Sequence, residues 1–528
     1  MTAPGVISAA AFAAGAEPSV SFTDILAFFD AGDYTIAREV LQRGIAAVFV
    51  IAFVSAIAQF PALLGERGLL PAPRLIARSS GRRLPSIFRL RPFRYSDRML
   101  RLTAALGVAV AASLVLGLPQ LGPPWLPLIA FALLWVLYLS IVNIGQVFYG
   151  FGWESLLLEC GVIAAFLGSN QTAPPLLVMV FFWWLVVRIE LGAGLIKMRG
   201  DSSWRDLTAM TFHHETQPMP GPLSRQAHLL PRSVHRAETL GNHLVQLGMP
   251  LLLFAPQPIA GIATLLIIAT QLWLVLTGNF AWLNVLTIVV AFSGVSDSVL
   301  GWIVGHGWPG WSWFGLPLED GGTDAASRSA EAGAAVTASA SPLWWLALTT
   351  LAFLVGAWLS VPAVRNLFSR NQLMNASFNR LGIGNAYGAF GSVTQLRREV
   401  EIEGTLAENP GESDWHAYGF KGKPGDVRRR PRQFAPYHLR LDWLMWFLAL
   451  GGGSALWFER LIRALLDADA ATLRLLRHDP FGGAPPRAIR VRVFAYRFAT
   501  RAEKRETGAV WVRDELATLV PPVSRGQW

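Results

Sequence analysis

Three ionisable residues stand inside one strongly apolar stretch of the sequence, residues 174–197. Arg188 and Glu190 lie near its middle, and Lys197 lies at its end. On an α-helix, positions 190 and 197 are about two turns apart and share a face, whereas Arg188 points elsewhere. A buried lysine can act as a proton acceptor because burial disfavours its charged form, although a carboxylate such as Glu190 opposes that effect.

Two more carboxylates, Glu154 and Glu159, stand in the preceding apolar stretch, and we expect them to pair with Arg188 and Lys197. These five residues form the predicted bundle polar cluster. Intramembrane charges indicate a functional site by default, but ion pairs that only fix helix register remain an equal alternative. The candidates for catalysis, none of them firm, are Lys197, Glu190, Glu159, His213 and His214.

The segment 198–237 is too polar to span a bilayer and too rich in proline and aromatic residues for a floppy linker. We interpret it as an interfacial or re-entrant segment packed against the bundle. Its polar residues, with two that open the next apolar stretch, are Asp201, Trp204, Arg205, Asp206, His213, His214, Glu215, Gln217, Asn242 and His243. Because H-E-x-x-H spacing is absent and adjacent histidines point apart on a helix, we predict no metal site. We also predict no cofactor.

The composition indicates a chain that is solvated by lipid over much of its length. Of 528 residues, 53% are hydrophobic and only 15% are charged, against about 25% charged in soluble proteins. The single cysteine, Cys160, excludes an intrachain disulfide. The net charge of +10 arises mostly from arginines between apolar stretches, which favours an anionic membrane surface over nucleic acid as the partner.

A helix that spans the bilayer needs about 20 mostly apolar residues. By that rule the fold class is a polytopic α-helical membrane protein with about nine transmembrane or re-entrant helices and a C-terminal β-rich soluble domain. The predicted stretches are 44–60, 102–118, 124–145, 153–169, 174–197, 239–256, 258–277, 280–300 and 343–363. We expect a helical membrane domain over 44–363, preceded by an interfacial segment over 1–43.

The placement of arginine predicts the orientation. Loop 61–101 contains ten arginines and is expected to be cytoplasmic. Loop 301–341 is acidic, and its Gly/Ala/Ser-rich part indicates a flexible, outward-facing insertion. Nine spans then place the N-terminus outside and residues 364–528 inside.

Residues 364–528 predict a mixed, mainly β, extramembrane domain. In 396–406, Val400 and Ile402 alternate with glutamates, as in a half-buried strand. We also predict strands at 386–393, 415–421 and 488–498. Residues 442–466 are apolar but interrupted by three glycines, which favours short helices lying on the membrane or the sheet.

Several blocks of the sequence resemble the lipase maturation factor family. The clearest are GAGLIKMRGDSSWRDLTAMTFHHETQPMPGPLSRQAHLLP (192–231), FGWESLLLECGVIAAFL (151–167), GNFAWLNVLTIVVAF (278–292), YGAFGSVTQLRREVEIEGT (387–405) and FKGKPGDVRRRPRQFAPYHLRLDWLMWF (420–447). The resemblance implies a chaperone-like membrane protein that helps secreted lipases, such as lipoprotein lipase, to fold and assemble. In eukaryotic members it also implies an endoplasmic reticulum location, and a C-terminal domain that engages the lipase on the non-cytoplasmic side. Nine spans place residues 364–528 on the cytoplasmic side instead. The side of the membrane that carries this domain therefore stays open.

The chain also departs from the eukaryotic pattern. Its Ala- and Arg-rich composition favours a bacterial plasma membrane, which leaves the client unidentified. The partners we expect are membrane lipids and a secreted client, without nucleic acid, and a homo-oligomer is one option. We expect a truncation that removes 370–528 to abolish client recovery while the membrane part stays folded.

A shorter match suggests an alternative function. Gly194-Leu195-Ile196-Lys197, followed by Asp201 and Trp204, is similar to a block in vitamin K-dependent carboxylases. That resemblance implies a membrane enzyme acting on a lipid or quinone-like substrate, with Lys197 as base. The absence of any recognisable catalytic set favours the non-enzymatic reading.

Overall fold

The computed structural model describes residues 29–78, 84–305, 341–451 and 455–527. Most of the predicted N-terminal interfacial segment and of the predicted flexible insertion lies outside these residues.

Fourteen α-helices lie between residues 35 and 368 in the part of the chain that the structure describes. They are α1 (Thr35–Leu64), α2 (Ala72–Arg78), α3 (Asp97–Val115), α4 (Trp125–Val142), α5 (Gly152–Ala164), α6 (Leu176–Arg199), α7 (Ser202–Arg205), α8 (Ala209–Thr216), α9 (Ser224–His228), α10 (Arg232–Gly248), α11 (Ile259–Thr277), α12 (Leu283–Ala291), α13 (Asp297–Gly305) and α14 (Leu343–Phe368).

Six helices among the described residues are long and apolar enough to cross a membrane: α1, α3, α4, α6, α11 and α14. A seventh span is formed if α12 and α13, which are bent by 100° relative to each other, count as one. All nine predicted stretches contain a helix, but α5 has only 13 residues and α10 is polar on one face. The predicted total of about nine is therefore approximate, and the chain is an integral multi-pass membrane protein.

Aromatic and small side chains pack the centre of the bundle. Phe49 and Phe53 of α1 meet the ring of Tyr138 edge-on. A Cβ on Gly107 of α3 would lie 2.5 Å from the Phe53 ring, so only glycine lets the two helices approach this closely. Cys160 of α5 is fully buried in the same core.

Contacts among the helix ends define two opposite faces of the bundle. On the amino-terminal face, the Asp297 carboxylate accepts a hydrogen bond of 2.8 Å from the backbone N–H of Thr35, where α1 begins. Ser341, just before α14, donates to Asp30 at 2.8 Å. Both flanks of the predicted outward-facing loop therefore lie on the same face as the start of α1.

The C-terminal region lies on the opposite face, which we call the sheet face. Gln59, near the end of α1, donates to the carbonyl of His438 at 2.6 Å. Arg460 donates to the carbonyl of Leu69 at 2.8 Å. The start of the arginine-rich loop and the C-terminal region therefore share one face of the bundle.

The described residues of the C-terminal region form a four-stranded antiparallel sheet and four α-helices. Its elements are β1 (Arg397–Thr405), β2 (His416–Ala417), α15 (Arg440–Ala449), α16 (Ala455–Leu466), α17 (Ala470–Leu473), β3 (Ala488–Phe498), α18 (Arg501–Thr507) and β4 (Trp511–Ser524). The strand order is β2-β1-β3-β4, so β4 forms one edge. Glu401 of β1 pairs with Arg492 of β3 in the register.

Two of the four predicted strands are confirmed, as β1 and β3, and 442–466 forms two short helices as predicted. The strand predicted at 415–421 shortens to two residues, and the strand predicted at 386–393 is wrong. β1 is also not half-buried: Glu399, Glu401 and Glu403 are each less than 7% exposed. The glutamate face is covered because arginine and lysine side chains pack on it.

Candidate functional site: buried ion groups where the helices meet the sheet

Glu154, fully buried at the start of α5, is neutralised by the C-terminal region. Arg440 Nη1 lies 2.6 Å from its Oε1, and His438 Nδ1 lies 3.2 Å from the same oxygen. The Tyr138 hydroxyl donates to Oε2. The guanidinium of Arg440 also covers the ring of Tyr149 at 3.5 Å. The predicted pairing of Glu154 with Arg188 or Lys197 is wrong. Glu154 binds Arg440, which is 286 residues away in the sequence.

Glu159, five residues further along α5, forms the second ion group. Arg188 Nη2 lies 2.6 Å from its Oε1, which is one of the predicted pairings. The Tyr387 hydroxyl donates to Oε2 at 2.6 Å, and the backbone N–H of Gly384 donates to Oε1 at 2.9 Å. Arg188 in turn donates to the carbonyl of Asn385 at 3.0 Å. The chain that leads into the sheet therefore closes over this ion pair.

Glycine lets that chain reach the ion pair. A Cβ on Gly192 of α6 would lie 2.2 Å from the carbonyl oxygen of Tyr387, and one on Gly200 would lie 2.2 Å from that of Gly391. The backbone over 386–393 therefore lies against α6, which is why the predicted strand does not form there.

Glu190 and Lys197 form the third ion group and are joined through neutral amides. Gln246 of α10 donates to Glu190 Oε2 at 3.1 Å and accepts from Lys197 Nζ at 2.9 Å. Gln271 of α11 donates to Glu190 Oε1 at 2.7 Å. Asn242 accepts a second hydrogen bond from Lys197 at 2.9 Å.

The ring of Trp204 completes the environment of Lys197, with Nζ 4.5 Å from the ring centroid. A Cβ on Gly194 would lie 2.8 Å from Leu247, so this glycine allows α6 and α10 to pack closely. The predicted bundle polar cluster is thus divided into three separate groups, and each ties together elements far apart in the sequence.

The predicted interfacial segment 198–237 folds into α7, α8, α9 and the start of α10, and it contacts the sheet. Arg397 of β1 donates to the carbonyls of Glu215 and Gln217, at 2.7 and 2.5 Å. The backbone N–H of Phe498 in β3 donates to Glu215 Oε2 at 2.7 Å. Arg225 of α9 donates to the carbonyl of Ala499 at 2.9 Å.

The first turn of this segment is tied to the strand-free chain before β1. Asp201 caps α7 through Ser203 and accepts from the backbone N–H of Val393 at 3.1 Å. The Trp204 indole donates to the carbonyl of Phe390 at 2.9 Å, and His243 contacts the Trp204 carbonyl at 2.9 Å. Two predicted members, Arg205 and Asp206, are exposed.

The three consecutive residues His213, His214 and Glu215 contact three different places. His213 stacks on Phe280. His214 Nε2 lies 3.0 Å from Glu238, which is not among the predicted site residues. Glu215 lies 3.3 Å from His228. The spacing His235-x-x-Glu238 in α10 was the signal in the sequence that pointed to Glu238, because residues three apart share a helix face.

Ionisable groups are also buried beneath the sheet. Lys423 Nζ lies 3.0 Å from Glu399, and burial lowers the pKa of this lysine to about 8 against the opposing effect of Glu399. Asp442 accepts from the backbone N–H of Gly422 at 2.6 Å. Burial raises the pKa of Asp442 to about 6.

Comparison with known proteins accounts for both regions. Residues 36–302 match the family model of the lipase maturation factor transmembrane domain, and residues 383–521 match that of the lipase maturation factor C-terminal domain. The chain belongs to the lipase maturation factor family.

Relatives from several vertebrates match nearly the whole chain. Lipase maturation factor 1 of Bos taurus is 40% identical over 94% of this chain and 90% of its own length. Lipase maturation factor 1 of Homo sapiens is 39% identical over 93% of this chain and 88% of its own length. Lipase maturation factor 2 of Gallus gallus is 30% identical over 93% of this chain and 81% of its own length. No solved structure matches this chain.

Proposed function

We propose that this protein is a membrane-bound maturation factor that assists a secreted lipase, in a chaperone-like way, to fold or assemble. The observation that carries the proposal is the 40% identity over 94% of the chain with a lipase maturation factor. Its membrane helices and its sheet both match the family, so the likeness includes the region for which we propose contact with the client.

We further propose a division of work between residues 44–363, which anchor the protein, and residues 364–528, which hold the client. The anchoring is supported by exposed apolar side chains on α14, such as Trp358, which is 73% exposed and suited to contact with lipid acyl chains. The client-holding part is supported by the ion groups of Glu154 and Glu159 and by the segment 198–237, because they fix the C-terminal region to the bundle. An oligomer is not needed for this arrangement.

The edge strand β4 is the surface that we propose for the client. It pairs with β3 on one side and with no other strand among the described residues. Residues 514–519 are exposed, and Leu516 and Leu519 are 49% and 47% exposed. An exposed edge of this kind offers backbone N–H and C=O groups to an extended peptide. The occupant we propose is an extended segment of an incompletely folded lipase.

The test is recovery of active lipase from cells that lack their own lipase maturation factor and produce this chain with a dependent lipase. We expect the wild-type chain to restore secreted activity, and the double variant Leu516→Glu, Leu519→Glu to lose most of it at equal protein level. Leu406→Glu is the matched control, because Leu406 is 51% exposed but follows β1, two strands away from β4. Full activity with the β4 variant would overturn the proposed surface, and no rescue by wild type would overturn the proposed function.

No specific observation favours the alternative enzyme with Lys197 as base. Lys197 and Glu190 are both engaged by side-chain amides that link α6, α10 and α11. We therefore assign them a role in positioning these helices.

The membrane that holds the protein and the side that carries the sheet also belong to the proposal. The alanine- and arginine-rich composition supports a bacterial plasma membrane. Reporter fusions after residue 78 and after residue 527 are expected to give the same sidedness, because Leu69 and Arg460 are in contact. A reporter inserted at residue 320 is expected to give the opposite one.

A further inference from the structure

Three metal-ligating side chains converge between α8 and α10 on the sheet face. His214 Nε2 lies 3.0 and 3.2 Å from the two carboxylate oxygens of Glu238. His235 Nδ1 lies 3.5 Å from Glu238 Oε2. The three ligand atoms all lie within 4.8 Å of one another. Around a tetrahedral zinc ion, with bonds of about 2.0–2.1 Å, ligand atoms are roughly 3.3 Å apart.

Hydrogen bonds fix the His235 ring in the orientation that a ligand needs. Its Nε2 lies 3.3 Å from the carbonyl oxygen of His228, which requires a proton on Nε2. In the neutral ring, Nδ1 then carries a lone pair, and it has no hydrogen-bond partner among the described residues. A backbone carbonyl on the far nitrogen is the usual support of a metal-bound histidine.

In the neutral ring, the lone pair of His235 faces a carboxylate oxygen 3.5 Å away, and the two acceptors repel each other unless a proton or a metal ion lies between them. His214 and His235 are 0% and 2% exposed, so water does not screen the repulsion well. The salt-bridge partners of Glu238 among the described residues are these two histidines. The Trp273 indole of α11 donates to Glu238 Oε1 at 2.5 Å and holds the carboxylate in place.

We propose that His214, His235 and Glu238 bind a divalent first-row transition-metal ion, with Zn²⁺ as the preferred ion. Two imidazoles and one carboxylate suit Zn²⁺ and related ions and leave at least one coordination position open to water. The sequence pattern predicted no metal site because its candidate ligands were His213, His214 and Glu215, which are consecutive, whereas the residues that meet come from α8 and from one face of α10.

The ion would act as a cross-link in a chain that has no disulfide. It joins α8 to α10, and Glu215, the residue after His214, binds the backbone of β3. Metal at this position would therefore stabilise the segment on which the sheet rests.

The test is the metal content of the full-length, untagged protein purified in detergent. We expect about one Zn²⁺ per chain, and loss of it in His235→Ala and in Glu238→Gln. His213→Ala is the matched control, because it removes the adjacent buried imidazole of α8, which stacks on Phe280 instead. Equal metal content in wild type and in both ligand variants would overturn the site.

A second measurement uses only the wild-type chain and so does not depend on how the variants fold. The protein is stripped with a chelator and titrated with Co²⁺, and visible absorption that saturates near one equivalent supports a site with nitrogen ligands. The stripped protein is expected to have a lower unfolding temperature than the loaded one. If no Co²⁺ absorption appears, the two histidines interact with Glu238 only as protonated side chains, and the proposal is overturned.

Discussion

Glutamate–arginine pairs occur in both halves of the molecule, but in different surroundings. Between helices and sheet, Glu154 and Arg440 have side chains that are both 0% exposed. On the glutamate face of the sheet, Arg490 bridges Glu403, 5% exposed, and Glu412, 77% exposed. Neither Glu154 nor Arg440 is in contact with water that could replace a lost partner. Glu412 is open to water and also lies 3.8 Å from a second arginine, Arg492.

This difference means that the Glu154–Arg440 pair holds the two regions together, whereas the Arg490–Glu412 pair lies at the surface of the sheet. Removing one member of a buried pair leaves an uncompensated charge, whereas exposed pairs contribute little. It also changes what a truncation after residue 370 means. Without Arg440, Tyr387 and Asn385, the carboxylates Glu154 and Glu159 lose partners, so the expectation that the membrane part folds alone was poorly founded.

The largest effect is expected for Arg440→Met, which leaves Glu154 without its guanidinium. Breaking a buried pair costs about 3–5 kcal/mol, so we expect a large fall in the unfolding temperature in detergent and in the amount of protein recovered. The double variant Glu154→Gln, Arg440→Met removes both charges and is expected to recover part of the loss. A double variant no better than the single one would mean that the pair is not the unit of stability.

The next effect is a pH dependence that arises from Asp442. Its pKa is raised from 3.8 to about 6 in the folded protein, so its contribution to stability is complete below 3.8 and is lost as the pH rises through about 6. Two pKa units correspond to about 3 kcal/mol. We expect the free energy of unfolding of wild type, relative to Asp442→Asn, to fall between pH 4 and pH 7. A difference that is constant over this range would contradict the prediction.

A smaller effect is expected for Tyr387→Phe, which removes one donor from Glu159 but leaves Arg188 and Gly384. Hydrogen bonds to charged groups contribute about 1.5–3 kcal/mol. Thermal unfolding of Tyr437→Phe provides the comparison, because the Tyr437 hydroxyl makes no hydrogen bond with the described residues. Equal unfolding temperatures for the two variants would show that the Tyr387 contact is dispensable.

The smallest effect is expected for Glu412→Gln on the sheet. Its carboxylate is open to water, and Arg490 keeps its contact with Glu403. We expect no measurable change in unfolding temperature at moderate ionic strength. A fall in unfolding temperature as large as that of Arg440→Met would contradict the conclusion that buried and exposed ion pairs contribute differently to stability.

Local pattern in the sequence predicts part of this structure. Alternation of apolar and charged residues located β1, and β3 was found over its full length. β4 was missed because Pro521 and Pro522 interrupt its sequence and break the pattern of a strand. Residues 386–393 have strand-like composition, but their backbone is held against α6 at Gly192, and sequence pattern carries no information about that contact.

The ion groups show the same limit. Arg188 and Glu159 are on neighbouring helices, so their pairing could be anticipated from the order of the elements. Arg440 lies in the C-terminal region, and only the docking of that region brings it to Glu154. Gln246 and Gln271, which hold Glu190, were overlooked because neutral amides do not stand out in an apolar stretch.

The single thiol of this chain is a natural probe for opening of the helical bundle. Cys160 is enclosed next to Glu159, under the chain that closes over Arg188. A water-soluble maleimide can reach that sulfur only after α5 has separated from its neighbours. The labelling rate of unmodified protein therefore measures how often the bundle opens, without an engineered probe.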